Sequence, residues 1–452
     1  MFKKKLITYF IFAGISINLF AQGDLTLYQL RNLNQSSSLN PAFFSDYNTS
    51  LGLPVFSGIA VGVQLSGFDL NTVFNSRTSD SLVNLGNFYS AINSKFFGAK
   101  LFQQTDLFHF RQQFGHYQIG LNIGTKTNCN ALISKEFIGF AANGNAAFAG
   151  QNMSFDGNDI QVSSYVETGL SVAREFERFT VGARVKLLNG IANVSSSGFA
   201  MNYQTGAIST DPTIVTLGGT MNSCGLPYLQ DSINGAKNQD STFNFTNIKP
   251  FSNVGVAFDF GATYRVSPRF NIHASVIDLG SIKWTSHVYN YNLNSVNITY
   301  AGLSYNQFND SATKQQYTDS LKNLIRTKSS NNAYSTPLTT KIIFGAEYDV
   351  TFRDRLGLLI QFQYFSGTFF PSYTFSYNRK VGTNWDIAAN YSYYNNSFSN
   401  LGIGTSVKWG AFQMYIIQDD ILMYINPNDM RTAYLRFGCN MVWGQHRPRP
   451  RF

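Results

Sequence analysis

From residue 57 to residue 443, apolar side chains recur at every second position in a succession of segments, the period of a strand with one apolar and one polar or small face. The last segment shows it best. Ala433, Leu435, Phe437, Cys439, Met441 and Trp443 fall on one face, and Tyr434, Arg436, Gly438 and Asn440 on the other. Residues 254–266 set Val254, Val256, Phe258, Phe260, Ala262 and Tyr264 against Asp259, Thr263 and Arg265. After a turn of Ser267, Pro268 and Arg269, the apolar set resumes at Phe270, Ile272, Ala274 and Val276. The same period predicts hairpins of 160–173 with 179–189, 340–350 with 356–368, 371–379 with 385–394, 400–409 with 411–423, and 104–112 with 117–125. An opening strand at 57–68 and a closing strand at 432–443 bring the expected total to about fourteen.

The connections are of two kinds. Within hairpins they are short and often carry arginine, whereas 69–103, 126–157, 190–253 and 283–339 are long and rich in Asn, Ser, Gly and Thr. Short turns at one end and long loops at the other is the asymmetry of bacterial outer-membrane barrels. Several segments run past ten residues, which suits a tilted spanning strand of ~9–11 residues better than a sandwich strand of about 5–6. The expected fold is therefore all-β, a transmembrane antiparallel β-barrel of about fourteen strands with short periplasmic turns and long extracellular loops. Asp419 and Asp420 interrupt the alternation and predict a β-bulge. A helix is expected near 312–326, with Tyr317, Leu321 and Leu324 near one face.

Composition agrees with a lipid-facing wall. Aromatics make up 15% of the chain and charged residues 13%, where an average soluble domain carries about a quarter charged. At the N-terminus, Lys3, Lys4 and Lys5 precede an apolar run from Leu6 to Phe20 and then Ala21, the pattern of a cleavable export leader. That run falls short of the ~20 residues of a membrane helix. The expected organisation is a leader over 1–21, a periplasmic or plug segment over 22–56, the barrel over 57–444 in the outer membrane, and a basic periplasmic tail over 445–452 with Arg447, Arg449 and Arg451.

Chemistry-bearing motifs are sparse. His109, His116, His273, His287 and His446 are scattered, with no HExxH, no nucleophile elbow and no phosphate loop. No catalytic residue, cofactor or metal is expected, and His273, on an inward phase, is the one place to look for a Ser-His pair. Cys129, Cys224 and Cys439 contain no CxxC pair. Cys129 and Cys224 are expected in outer loops, either bonded to each other or as free thiols. The net charge of +9 forms no basic stripe interleaved with aromatics, so nucleic acid is excluded as a partner.

The period assigns Arg184, Lys186, Asp259, Arg265, Lys341, Glu347 and Asp349 to the lumen. They are expected either to satisfy one another across a filled barrel or to line a path that selects solutes. Asn40, Pro41 and Ala42 are expected to form a turn beneath the first strand or part of an N-terminal plug.

Three stretches resemble a known group. Asn40-Pro41-Ala42, within Ser38 to Phe43, resembles the element that follows the leader in FadL-like barrels and in the PorP/SprF-type proteins of Bacteroidota. Asp259 to Tyr264, followed by Val276 to Trp284, looks like the middle of an uncharacterised Bacteroidota barrel family related to them, and Leu435 to Gly444 resembles its closing strand. The PorP/SprF likeness implies a non-enzymatic surface scaffold, or a partner of type 9 secretion and gliding, working with a secreted surface protein or secretion-system components. The FadL likeness implies instead a channel for hydrophobic or small solutes. Outer-membrane lipid is the expected partner in either case.

Overall fold

The computed structural model describes residues 23–76, 83–143, 145–148, 150–204, 213–226, 251–292, 296–300, 315, 316, 319, 329–365, 368–394 and 397–445. The expected leader and the tail beyond residue 445 lie outside the described residues, as does most of the expected helix at 312–326.

Among the described residues, fourteen antiparallel strands close into a barrel. The first, β1, comes in two parts, Tyr47–Gly52 and Gly58–Ser66. It thus begins ahead of the boundary expected at residue 57, and Leu53 to Ser57 form an excursion between the parts. Next come β2 (Phe96–Phe114), β3 (Tyr117–Ser134), β4 (Asp159–Glu175) and β5 (Phe179–Gln204). These four rise above the rest, β5 through 26 residues, and two of them run well beyond the segments predicted at 104–112 and 117–125. The wall continues with β6 (Val254–Ser267), β7 (Phe270–Trp284), β8 (Thr340–Asp349), β9 (Asp354–Phe365) and β10 (Thr368–Val381). It ends with β11 (Trp385–Tyr394), β12 (Ser397–Trp409), β13 (Phe412–Gln418) and β14 (Thr432–Gln445). Closure is direct: Ile59 pairs with Phe437, Thr49 with Trp443, and the other edge of β1 pairs with β2.

Alternation sets which side chains meet the lumen. On β6, Val256, Phe258 and Phe260 are exposed on the outside while Ala257 and Asp259 are buried inside. On β14, Leu435, Phe437 and Trp443 face out, and Tyr434, Arg436 and Asn440 are buried. The turns at one end are tight: Gly115, Gly382 and Gly410 all have positive φ, and a Cβ there would touch nothing within 4 Å, so the left-handed backbone is what calls for glycine. At the other end the long connections carry the short helices Leu70–Asn75, Leu85–Ala91 and Lys135–Asn143. The strand Thr213–Cys224 there extends the sheet above β5 and pairs with Val288–Asn292 and Val296–Tyr300.

Two expectations are corrected. No bulge forms at Asp419 and Asp420, because β13 stops at Gln418 and both carboxylates leave the wall. Cys129 is not in a loop but within β3, and Cys129, Cys224 and Cys439 are all free thiols.

The stretch from Val276 to Trp284, part of the sequence resemblance, has a structural role. Between Val276 and Leu279 the register of β7 on β6 slips, so Ile277 and Asp278 both turn inward, with Asp278 at φ +62°. The bulge thereby adds a carboxylate to the lumen that strict alternation would have left outside. Further along, a Cβ at Gly280 would lie 2.2 Å from the Val256 carbonyl oxygen. Trp284 is fully buried, donates to Thr336 Oγ1 at 2.8 Å and covers Gly190, where a Cβ would lie 2.3 Å from its ring.

Candidate functional site: a plugged lumen

The stretch from Gly23 to about Ser45 folds inside the barrel. Leu25, Leu27, Leu30, Leu33, Leu39 and Phe43 join wall residues such as Ile277, Ile343, Leu359 and Ile417 in the main apolar core. This stretch contains only a short helix, α1 (Leu25–Gln29), and a 3-10 turn over Asn34–Ser38. So short a helix has little stability of its own, and its backbone groups take partners from the wall. Asp419, placed inward where β13 ends, accepts from the amides of Asp24 (2.7 Å), Leu25 (3.3 Å) and Thr26 (3.0 Å), and from Thr26 Oγ1 (2.6 Å).

Other pins ring the plug. Arg436 reaches Asp24 at 2.9 Å and donates to Tyr434 Oη, which also contacts Asp24. Burial opposes ionisation of Asp24, but Arg436 and its neighbours hold the carboxyl below the usual carboxylate range. Arg31 pairs with Glu347 and touches His273. Asn32 donates to Asp386 and to Ser406, each at 2.7 Å. Gln35 and Asn440 exchange two hydrogen bonds, of 2.7 and 3.0 Å. Arg111 donates to the Phe43 carbonyl and Ser275 to that of Leu39.

Asn40, Pro41 and Ala42 belong to this plug rather than to a turn beneath β1. Asn40 Oδ1 accepts from the Ala42 amide at 2.9 Å, and Asn40 is fully buried. The three residues press on the wall where glycine makes room: a Cβ at Gly182 would lie 2.4 Å from the Pro41 backbone, and one at Gly261 2.1 Å from Asn40 Oδ1.

Five of the lumen-phase charges are buried: Arg184, Lys186, Asp259, Lys341 and Glu347. Lys186 bridges Asp259 (2.7 Å) and Asp278 (2.5 Å), Arg184 reaches Asp259 at 3.3 Å, and Lys126 joins Glu167 (2.8 Å) to Asp278 (3.8 Å). Three cations thus face three carboxylates across β3 to β7. Arg184 also donates to the Ser37 carbonyl at 2.8 Å, tying this cluster to the plug. Removing charges from water costs most of what their attraction returns, so the network fixes the plug's position more than it adds stability. Asp349 is half-buried and pairs with Arg355 at 2.8 Å, and Arg265 is exposed at the rim. His273 packs edge-on to Phe43 between Arg31 and Glu347, in contact with the plug.

Of the residues not singled out from sequence as lumen charges, Lys126, Glu167, Asp278, Asp419 and Arg111 carry as much of this network as those that were. Parity could have found Arg111 and Glu167, whereas the bulge hid Asp278 and the early end of β13 hid Asp419.

Open space lies on both sides of the plug. At the short-turn end a cavity of about 250 Å³ is lined by Arg31, Phe43, Arg265, His273, Asp349 and Arg355, among others. Toward the long loops a smaller one, about 40 Å³, is lined by Phe102, Asn128, Asn130, Gln161, Tyr165 and Lys341 with further polar groups. Among the described residues, no three or more His, Cys, Asp or Glu side chains gather as a metal set.

A family model covers residues 41–419. The chain belongs to a family of unknown function, DUF5723. No curated protein matches it. Among solved structures it is similar to the toluene transporter TbuX of Ralstonia pickettii, with a TM-score of 0.42 and 10% identity over 95% of this chain and 96% of that one. The toluene transporter TodX of Pseudomonas putida gives 0.39 and 8% over 96% of each chain, and a FadL homologue of Pseudomonas aeruginosa gives 0.40 and 9% over 91% and 94%. Likenesses this distant carry no argument of their own. Neither the family nor these structures speak to the PorP/SprF or Bacteroidota part of the sequence resemblance.

Proposed function

We propose that the protein is a non-enzymatic outer-membrane channel whose lumen is closed by its own N-terminal plug and opens to pass a small solute. The observation that carries this reading is the plug itself, a segment with little regular structure held inside a closed barrel by buried apolar side chains and by polar contacts that water can replace. Membrane insertion draws on the apolar outer face and on exposed aromatics at the short-turn end, including Trp385, Trp409, Phe352 and Trp443. Between the hydrophobic and the small polar solutes that a FadL-like channel suggests, the buried lumen lining favours the polar class: Gln361, Gln363, Thr374, Asn390 and Gln413 all face inward. A scaffold or secretion partner finds no supporting observation among the described residues.

Two measurements test this. Membrane fractionation should recover the chain with the outer membrane, and recovery in the soluble periplasm would refute the location. Solute uptake by proteoliposomes should be low for the wild type and higher for Asp419→Ala, with small sugars passing more readily than toluene. Equal uptake by both proteins would remove the plug as the gate.

A further inference from the structure

The short-turn rim carries a feature that neither plug nor lumen uses. Arg174, near the end of β4, is the cross-strand partner of Tyr117 and points outward. Its guanidinium lies 5.1 Å from the Tyr117 ring centre and 4.7 Å from that of Phe176. Phe179 stacks on Phe176 at 6.1 Å, and Phe114 pairs with Tyr117 across the hairpin. All four rings are exposed, as is Arg174, whose guanidinium makes no hydrogen bond and no ion pair among the described residues. Of the nearby acids, Glu175 lines the cavity inside the barrel and Glu177 stands exposed in the turn.

An arginine laid across two rings presents its N–H donors in one plane, the fork that suits a phosphate bidentately. Aromatic side chains collect at the depth of the headgroups, so the rings set that fork where a lipid phosphate would lie. A second, smaller corner repeats the arrangement, with Arg353 4.9 Å above the exposed Phe352 ring.

We propose that Arg174, framed by Tyr117 and Phe176, binds the headgroup phosphate of an anionic phospholipid, whose acyl chains run toward the bilayer centre along the exposed Ile119, Leu170 and Val172. The site rests on the reading of the barrel as membrane-spanning. The lipid's uncompensated negative charge is what distinguishes it from a zwitterionic one of the same length.

The test is native mass spectrometry of the full-length barrel released from detergent in the presence of palmitoyl-oleoyl phosphatidylglycerol or the matching phosphatidylcholine. The wild type should retain the phosphatidylglycerol about tenfold better, in keeping with a charge-assisted contact of this kind. Arg174→Gln should lose most of that preference, with Arg353 keeping a minor share, and Arg174→Lys should keep more of it, each checked as folded by heat-modifiable migration. Arg379→Gln should keep it all, because Arg379 is already paired with Asp354 at 3.2 Å. Equal retention of the two lipids by the wild type, or an undiminished preference in Arg174→Gln, overturns the site. Displacement of the lipid by millimolar inorganic phosphate would point to a free-ion site and overturn the lipid assignment. A barrel that inserts into vesicles without lipid preference refutes this site alone, whereas one that does not insert refutes the membrane reading and the site with it.

Discussion

Asp419→Ala removes one side chain and strands four donors. The amides of Asp24, Leu25 and Thr26 and the Thr26 hydroxyl all lose their acceptor in a fully buried setting. Each such orphan costs about 1–3 kcal/mol, and the relief of no longer burying a carboxylate offsets part of the sum, leaving a net penalty of about 3–5 kcal/mol. That penalty falls on one end of the plug. Arg31 with Glu347, Gln35 with Asn440 and Arg184 with Ser37 hold the remainder independently, so the expected result is local opening of residues 23–30 rather than loss of the barrel. Leu25, fully buried in the wild type, reports it when changed to Cys in a background lacking the three native cysteines. A polar maleimide should label Leu25→Cys at least about a hundredfold faster when Asp419→Ala is also present, as a shift of that size in an opening equilibrium requires. Asp419→Asn, which keeps one acceptor oxygen, should fall between. Labelling at the wild-type rate in Asp419→Ala, with the barrel folded, would show that the carboxylate does not hold the plug.

Three further outcomes are expected. Phe437→Arg should lose about 2–4 kcal/mol of barrel stability, because its outward side chain would carry a charge into hydrocarbon; a folded band on a heat-modifiability gel as strong as the wild type would contradict the outward assignment. Gly182→Ala should loosen the plug by about 1–3 kcal/mol of overpacking against Pro41, seen as faster proteolysis near residue 41 with an intact barrel, and unchanged proteolysis would argue against the close approach. Burial pushes the Asp420 carboxyl, in the loop after β13, up to about 6. A raised folded value gives stability that is present below the unfolded pKa of ~3.9 and is lost as pH rises through about 6. Asp420→Asn, which can still accept from the Leu422 amide, should therefore flatten the fall in melting temperature between pH 4 and 7, and an identical profile in both proteins would sink that assignment.

The wall was readable because its constraint is local. An apolar outer face and a packed interior force a two-residue period, and on β14 the period alone separates Phe437 from Asn440. Where the period slips, so does the reading. Leu107 is passed over in the register of β2 on β3, and Ile277 with Asp278 in that of β7 on β6, shifts that no residue count across a turn announces. The plug was hard to read for the opposite reason. Between Gly23 and Ser45 only a short helix and a 3-10 turn form, and those residues are specified by long-range partners such as Asp419, some 395 positions away from Asp24. Asn440 shows what that costs: sequence places it on the lumen side, where a charge should be tolerated, yet Gln35 fills that space and bonds to it twice. Asn440→Arg is therefore expected to fail beside Phe437→Arg, for want of room rather than of water.

The depth of plug burial also constrains how the proposed channel would open. Leu25, Leu27, Tyr28, Leu30, Leu33, Leu39 and Phe43 are each almost fully withdrawn from solvent, and exposing such side chains costs about 1.5–3 kcal/mol apiece, together roughly 10–20 kcal/mol. Expulsion of the whole plug would then be too rare to support passage without an external pull. The polar contacts behave differently, since each can be replaced by water at a net cost of about 1 kcal/mol, and several of them meet at Asp24, Leu25 and Thr26, near one end of the plug. Opening by stepwise release from the Asp24 end frees Leu25, Leu27, Tyr28 and Leu30 but keeps the contacts of Leu33, Leu39 and Phe43, which costs less than expelling the whole plug and uncovers the polar wall of β11 to β13. It also makes the solute that can replace those contacts, one rich in hydrogen-bonding groups, the one best able to pass.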